Sequence, residues 1–187
     1  ETRVSIVTGA GNAFCAGGDF STMPSPESEL DPNQLASRDF RNATNLVMGL
    51  VNASKPIVSA INGPAIGAGL AIALLADISI AARQAKLLDG HVRIGVTAGD
   101  HAALVWPLLC GMAKAKYFLL TNEALTGEEA ERHNLISLAV EAGDLMPKAL
   151  EVASRLANSA PTAVRMTKYV LNHWLRQNQA IFDLSVA

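Results

Sequence analysis

The stretch that most constrains the fold runs from residue 55 to residue 81. Lys55-Pro56 breaks what precedes it, and Ile57-Val58-Ser59-Ala60-Ile61 is a short apolar run of the buried-strand type. Asn62-Gly63-Pro64 turns the chain, Gly67-Ala68-Gly69 opens an apolar helix from Leu70 to Leu75, and Asp77-Ile78-Ser79-Ile80-Ala81 is a second buried strand. A strand, a crossover helix and a further strand at this spacing pack as neighbours of one parallel sheet. Val4-Ser5-Ile6-Val7 adds an earlier strand, ending in the turn Thr8-Gly9-Ala10-Gly11. Between them lie a polar loop over 21–33, with Pro24, Pro26 and Pro32, and a helix over 34–51 carrying Leu35, Phe40, Leu46, Met48 and Leu50.

From residue 102 the chain reads as helical. Helices over 102–109 and 113–120 are split at Gly111, and Thr126-Gly127-Glu128-Glu129 is a capping box that starts a helix to about His133. Ile136 to Glu141 is a late strand. A helix from Leu145 to Asn158 follows, then one opened by Pro161 whose Ala163, Met166, Val170, Leu171 and Trp174 form one apolar stripe. Met112, Met146 and Met166 are expected to fill the core. With no repeat or linker in 187 residues, one domain is expected. The chain opens at Glu1 without a methionine and stops at Ala187 inside a helical pattern, so that core domain, 1–187, is expected to be cut at both ends.

Composition narrows the function. Half the residues are apolar, 17% are charged, the net charge is −2 and no basic run exists, which argues against nucleic acid or anionic membrane as a partner. No uninterrupted apolar run reaches the roughly 20 residues of a membrane span. Cys15 and Cys110 sit among small apolar neighbours and make no disulfide framework, which points to a reducing, cytoplasmic compartment.

Two glycine-rich turns carry the chemistry. Phe14-Cys15-Ala16-Gly17-Gly18-Asp19-Phe20 and Gly63-Pro64-Ala65-Ile66-Gly67-Ala68-Gly69 each follow a strand, and the second runs straight into a helix. The first N–H groups of that helix, at Ala68 and Gly69, lack intrahelical acceptors and sit at the positive end of its dipole. One N–H from each turn, converging on one oxygen, would make an oxyanion hole. Glycines in such places also serve tight turns and close helix–sheet packing, and the residues alone leave both readings open.

A second cluster follows at Asp89-Gly90-His91-Val92-Arg93 through Gly99-Asp100-His101, with two His, two Asp and one Arg in 13 residues. Histidine titrates nearest neutrality, and a carboxylate beside it fixes its tautomer and strengthens it as a base. His91 with Asp100 is the dyad expected here. The alternatives are Asp100 as the N-cap of the 102–109 helix and His91 as a packed loop residue. Asp89, Arg93 and His101 are expected to be structural or solvated. A metal is not expected, since no helical His-x-x-x-His pair exists. Phe14 stands where a dinucleotide fingerprint needs its third glycine. Neither a Gly-x-Ser-x-Gly elbow nor a Tyr-x-x-x-Lys is present.

The strand Val4 to Gly9 followed by Phe14-Cys15-Ala16-Gly17-Gly18-Asp19-Phe20 resembles the first signature of the crotonase superfamily, the enoyl-CoA hydratases and isomerases. Lys55 through Gly69 resembles the second, and Leu74-Leu75-Ala76-Asp77-Ile78 and Leu120-Thr121 are similar to later family segments. The resemblance covers nearly the whole chain. It implies an α/β fold, the crotonase/ClpP-like spiral of ββα units with a mostly helical C-terminal part, assembled as a trimer or a dimer of trimers (a hexamer). It implies an acyl-CoA thioester substrate, as in fatty acid metabolism, with coenzyme A part of the substrate and no separate cofactor. Gly18 and Ala68 match the oxyanion pair, acting through backbone N–H. Ala16, Gly18, Asp19 and Phe20 match the contacts to the adenosine part of CoA.

The chain departs from the hydratases at both glutamates that handle water and its protons, where it has Ala71 and His91. A His–Asp separation of nine residues resembles the oxocamphor hydrolase branch, which cleaves a C–C bond of a β-diketone without CoA; other branches place a catalytic Asp close to Asp100. The expected function is therefore an acyl-CoA enzyme that stabilises a thioester enolate, a lyase or isomerase. The alternatives are a β-diketone hydrolase using the same hole and dyad, and a catalytically silent member.

Overall fold

The computed structural model describes residues 2–18, 32–99 and 101–186, with 32–40 and 183–186 described as backbone. Four strands, β1 (Ser5–Thr8), β2 (Ile57–Ile61), β4 (Ile78–Ala82) and β7 (Leu138–Val140), form one sheet in the order β1-β2-β4-β7, and every pairing in it is parallel. The parallel sheet expected from the strand–helix alternation is thus present. Its central strands are buried on both faces, as their unbroken apolar runs require: Val58, Ala60, Ile61, Ile80 and Ala81 are all inaccessible. Helix α1 (Pro32–Asn52) precedes β2, and α2 (Ala68–Leu75) crosses from β2 to β4. Gly69, Leu70, Ala71, Ala73, Leu74 and Leu75 are buried all round α2, which is why that helix carries no polar face.

A second, smaller sheet escaped the sequence reading. It consists of β3 (Ala65–Ile66), β5 (Lys86–Leu88) and β6 (Leu125–Thr126), with β3 parallel to β5 and β5 antiparallel to β6. These strands are too short to show a period-2 pattern, and β3 lies inside a glycine–proline turn.

Helix α3 (Ala102–Thr121) has the length and apolarity of a membrane span, but Gly111 (φ 78°, ψ 154°) breaks it where the sequence predicts a split. Leu104, Val105, Trp106, Ala115 and Phe118 of α3 are buried in the core. The predicted capping box opens α4 (Gly127–Arg132): Thr126 Oγ1 accepts from Glu129 N at 3.2 Å, and Glu129 Oε2 accepts from Thr126 N at 2.8 Å. The Thr126 backbone N–H, and then its hydroxyl, hold the Glu129 carboxyl below the usual carboxylate range.

Helices α5 (Leu145–Ala157), α6 (Pro161–Leu171), α7 (His173–Gln177) and α8 (Gln179–Val186) close the chain. α5 packs against β1, β2 and β4. α6 is tied to the sheet by Lys168, a buried lysine whose Nζ donates to Asp77 Oδ2 at 2.8 Å and to the Lys55 carbonyl at 3.0 Å. One expectation fails here: Met112, Met146 and Met166, expected to fill the core, are exposed. The apolar stripe of the last helices faces outward, with Met166, Val170, Leu171 and Trp174 more than half exposed. A 3.6-residue period shows that a helix has an apolar face; it does not say what covers that face.

Candidate active site

The two glycine turns meet because the strands feeding them pair. Cys15 forms a parallel bridge with Ala65, Phe14 N and Cys15 N both donate to the Pro64 carbonyl at 3.1 Å, and Ile66 N donates to the Cys15 carbonyl at 3.0 Å. Three residues beyond that bridge, on the two chains, stand Gly18 and Ala68. The pair expected to hold an oxygen thus leaves one parallel bridge in step. Ala68 is the first residue of α2, behind Gly67 (φ 52°), and no acceptor is recorded for the N–H of Gly18 or of Ala68 among the described residues. The approach is close. A Cβ on Gly69 would lie 2.4 Å from the Cys15 carbonyl oxygen and 2.6 Å from Cys15 Cβ, so only glycine lets α2 start against the first turn.

Asn62 staples the two turns together, a role that the sequence reading did not assign. Its Oδ1 accepts from Gly9 N at 3.0 Å, and its Nδ2 donates to the carbonyls of Gly11 at 2.9 Å, Gly9 at 3.2 Å and Ala13 at 3.3 Å. One side chain at the exit of β2 therefore anchors the whole loop that carries Phe14 to Gly18. At a net of about 0.5–1.5 kcal/mol per hydrogen bond, Asn62→Ala is expected to cost about 2–3 kcal/mol of stability and to loosen the turn from Phe14 to Gly18. Thermal unfolding with a ligand-binding assay checks this, and an unchanged melting temperature would remove Asn62 from that role.

The third chain at the site comes from the small sheet. β3 pairs with β5 as Ala65↔Leu87 and Ile66↔Leu88, and Gly67 N donates to the Leu88 carbonyl at 3.1 Å. Three residues beyond Leu87 is Gly90, followed by His91, so the second predicted cluster is delivered beside the first. The His91 side chain is 18% exposed, and its Nδ1 lies 3.0 Å from Oδ2 of Asp89, itself only 4% exposed. Asp89, expected to be structural or solvated, is thus a partner of His91 among the described residues. His101 is fully buried just before α3, its ring centroid 6.4 Å from that of His91. Arg93 lies exposed in the 3-10 turn Val92–Ile94. Ala16 and Gly18 are exposed, and Ala71 is buried inside α2. Asp19, Phe20 and Asp100 lie outside the described residues.

A groove of about 680 Å³ lies at the other end of α2, lined by Leu74, Leu75, Leu108, Lys168, Leu171 and Trp174. It is one helix length from Ala68, holds none of the residues at the turns, and forms no part of this site.

The model of the enoyl-CoA hydratase/isomerase family matches residues 1–184. A short-chain-enoyl-CoA hydratase of Clostridium acetobutylicum is 33% identical over 178 residues, covering 94% of this chain and 66% of that protein. A solved enoyl-CoA hydratase/isomerase of Mycobacterium paratuberculosis superposes with a TM-score of 0.89 at 33% identity, covering 98% of this chain and 72% of the other. A β-diketone hydrolase of Anabaena sp. PCC 7120, solved with (S)-3-oxocyclohexyl acetic acid bound, superposes with a TM-score of 0.88 at 27% identity, again over 98% and 72%. The chain spans less than two thirds of the length of the first curated relatives that it matches: 66%, 64% and 59% in three of them. With the expected signatures, the sheet that they predict and a family match along nearly its whole length, the chain belongs to the enoyl-CoA hydratase/isomerase family and has its crotonase fold.

Proposed function

We propose that the protein is an acyl-CoA-processing enzyme that holds a thioester carbonyl oxygen between the N–H groups of Gly18 and Ala68 while the neighbouring carbon reacts. The observation that carries this reading is the parallel bridge Cys15↔Ala65, from which both donors emerge in step, with His91 brought in by the next strand. When the proton on the carbon beside the carbonyl is removed, the C–H electrons move into the C–C bond and the carbonyl π electrons onto oxygen. Two fixed donors there each stabilise the enolate by about 3 kcal/mol.

His91 is the proton-transfer group in this reading, with Asp100 as the carboxylate that assists it. Return of the proton to another carbon is isomerisation, addition of water across the double bond is hydration, and attack of water at the carbonyl is hydrolysis. Ala71, in the position matched to the first hydratase glutamate, transfers no proton, so hydration would not run through a glutamate pair. Ala16, Gly18, Asp19 and Phe20 are the proposed contacts to the adenosine end of CoA, and no further cofactor is needed.

A homotrimer or dimer of trimers is proposed as the assembly. It is supported by the outward apolar face of Met166, Val170, Leu171 and Trp174, which a neighbouring subunit would cover. Cys15 and Cys110 are free thiols, which suits the cytoplasmic location proposed.

The second reading is a β-diketone hydrolase, supported by the likeness to the Anabaena enzyme at a TM-score of 0.88. The same two donors would hold a ketone oxygen, and CoA would not bind. Calorimetry with short, branched and aromatic acyl-CoAs and a cyclic 1,3-diketone, with turnover followed by mass spectrometry, separates the readings. CoA binding with turnover supports the acyl-CoA enzyme. Diketone cleavage without CoA binding overturns it in favour of the hydrolase, and ligand binding without turnover across the panel points to a catalytically silent member.

A further inference from the structure

We infer that Asp89 is the positioning residue for His91, fixing the ring in the tautomer that carries its proton on Nδ1 and leaves Nε2 as the basic nitrogen. This rests on the reading of His91 as the proton-transfer group. Oδ2 of Asp89 lies 3.0 Å from His91 Nδ1 and also 3.3 Å from the His91 backbone N. That backbone nitrogen can only donate, so the oxygen between the two groups serves as an acceptor, and the ring nitrogen facing it supplies an N–H.

The local chain is shaped for this contact. Gly90 sits between the two residues at φ 87°, a conformation that L side chains rarely adopt, and this lets the carboxylate fold back onto the residue two positions ahead. Asp89 is 4% exposed, and its other oxygen, Oδ1, is buried without a hydrogen-bond partner among the described residues. A buried carboxylate is costly unless a donor or a positive charge faces it, and among the described residues His91 faces Asp89 with both its ring and its backbone N–H. A proton arriving at Nε2 when His91 acts as a base would place the positive charge of the ring beside this carboxylate, which faces it through Nδ1.

The test is a long-range ¹H–¹⁵N correlation spectrum of the uniformly ¹⁵N-labelled full chain. The His91 ring, one of four histidines, is assigned by the loss of its signals in His91→Gln. The neutral ring in the parent protein is expected to show protonated Nδ1 and bare Nε2. In Asp89→Ala the ring should shift toward the Nε2-protonated tautomer that imidazole prefers in water. In Asp89→Asn, whose amide oxygen still accepts from the backbone N–H and from Nδ1, the tautomer should be retained; this variant also covers the case in which alanine impairs folding.

With a turned-over substrate, Asp89→Ala should lower kcat by about 10²- to 10⁴-fold with KM little moved, and asparagine should restore part of it. An Nε2-protonated ring in the parent, or a Nδ1 proton that survives in a folded Asp89→Ala protein, overturns the assignment. The tautomer is read without substrate. If it switches as expected in a protein that turns over no acyl-CoA, the positioning role stands and only the functional reading fails.

Discussion

His91→Gln is expected to lower kcat by about 10²- to 10⁴-fold, the usual worth of a positioned general base or acid, while acyl-CoA still binds. Glutamine fills similar space and can accept and donate hydrogen bonds, but it cannot exchange a proton near neutral pH. The side chain sits in the loop after β5 and takes no part in the bridge that fixes Gly18 and Ala68, so those two N–H groups and the proposed adenosine contacts should survive. Steady-state kinetics with calorimetry on the same acyl-CoA checks this. Equal losses in kcat and kcat/KM with an unchanged Kd would mean that His91 acts in the transition state alone. Full turnover in the variant would move the proton transfer to another group, Asp100 being the first to examine.

The parts of this site that were legible in the sequence are those set by local covalent constraints. Proline and glycine at Lys55-Pro56 and Asn62 to Gly69 end one element and start the next, and the apolar runs between them are long enough to be read as buried strands. The capping box was legible for the same reason, since its two side chains and two backbone groups lie within four residues. β3, β5 and β6 were not legible, because two or three residues show no period and these strands exist through their partners.

The relation of His91 to Asp89 fell between these cases. An Asp two residues before a His, with glycine between, has the spacing of a side-chain–backbone turn. Whether it closes depends on the positive φ of Gly90, and that conformation follows from how the strand leaves β5. The expected partner, Asp100, lies outside the described residues, so the contact with Asp89 stands beside that expectation. The outward face of α6 and α7 shows the converse limit: its periodicity was read correctly, and its direction was set by contacts that the period does not encode.

Ala68→Pro is expected to remove one oxyanion donor with little harm to the fold, and to lower kcat by about 10²- to 10³-fold. Ala68 is the first residue of α2, where proline's fixed φ suits the helix and its missing N–H breaks no intrahelical bond. The residue before it is Gly67, which has no side chain to meet the proline ring. The substitution thus separates the two meanings that glycine-rich turns always carry. If the turn at Gly67 to Gly69 only lets α2 start close to Cys15, the N–H of Ala68 has no function, and the variant should keep both melting temperature and turnover. If that N–H stabilises developing charge, turnover should fall while the melting temperature holds. A companion variant, Gly69→Ala, should fail on both measures, because its Cβ would lie 2.4 Å from the Cys15 carbonyl oxygen and push the two turns apart. Loss of turnover in the proline variant without loss of stability would therefore identify the backbone amide as the functional group.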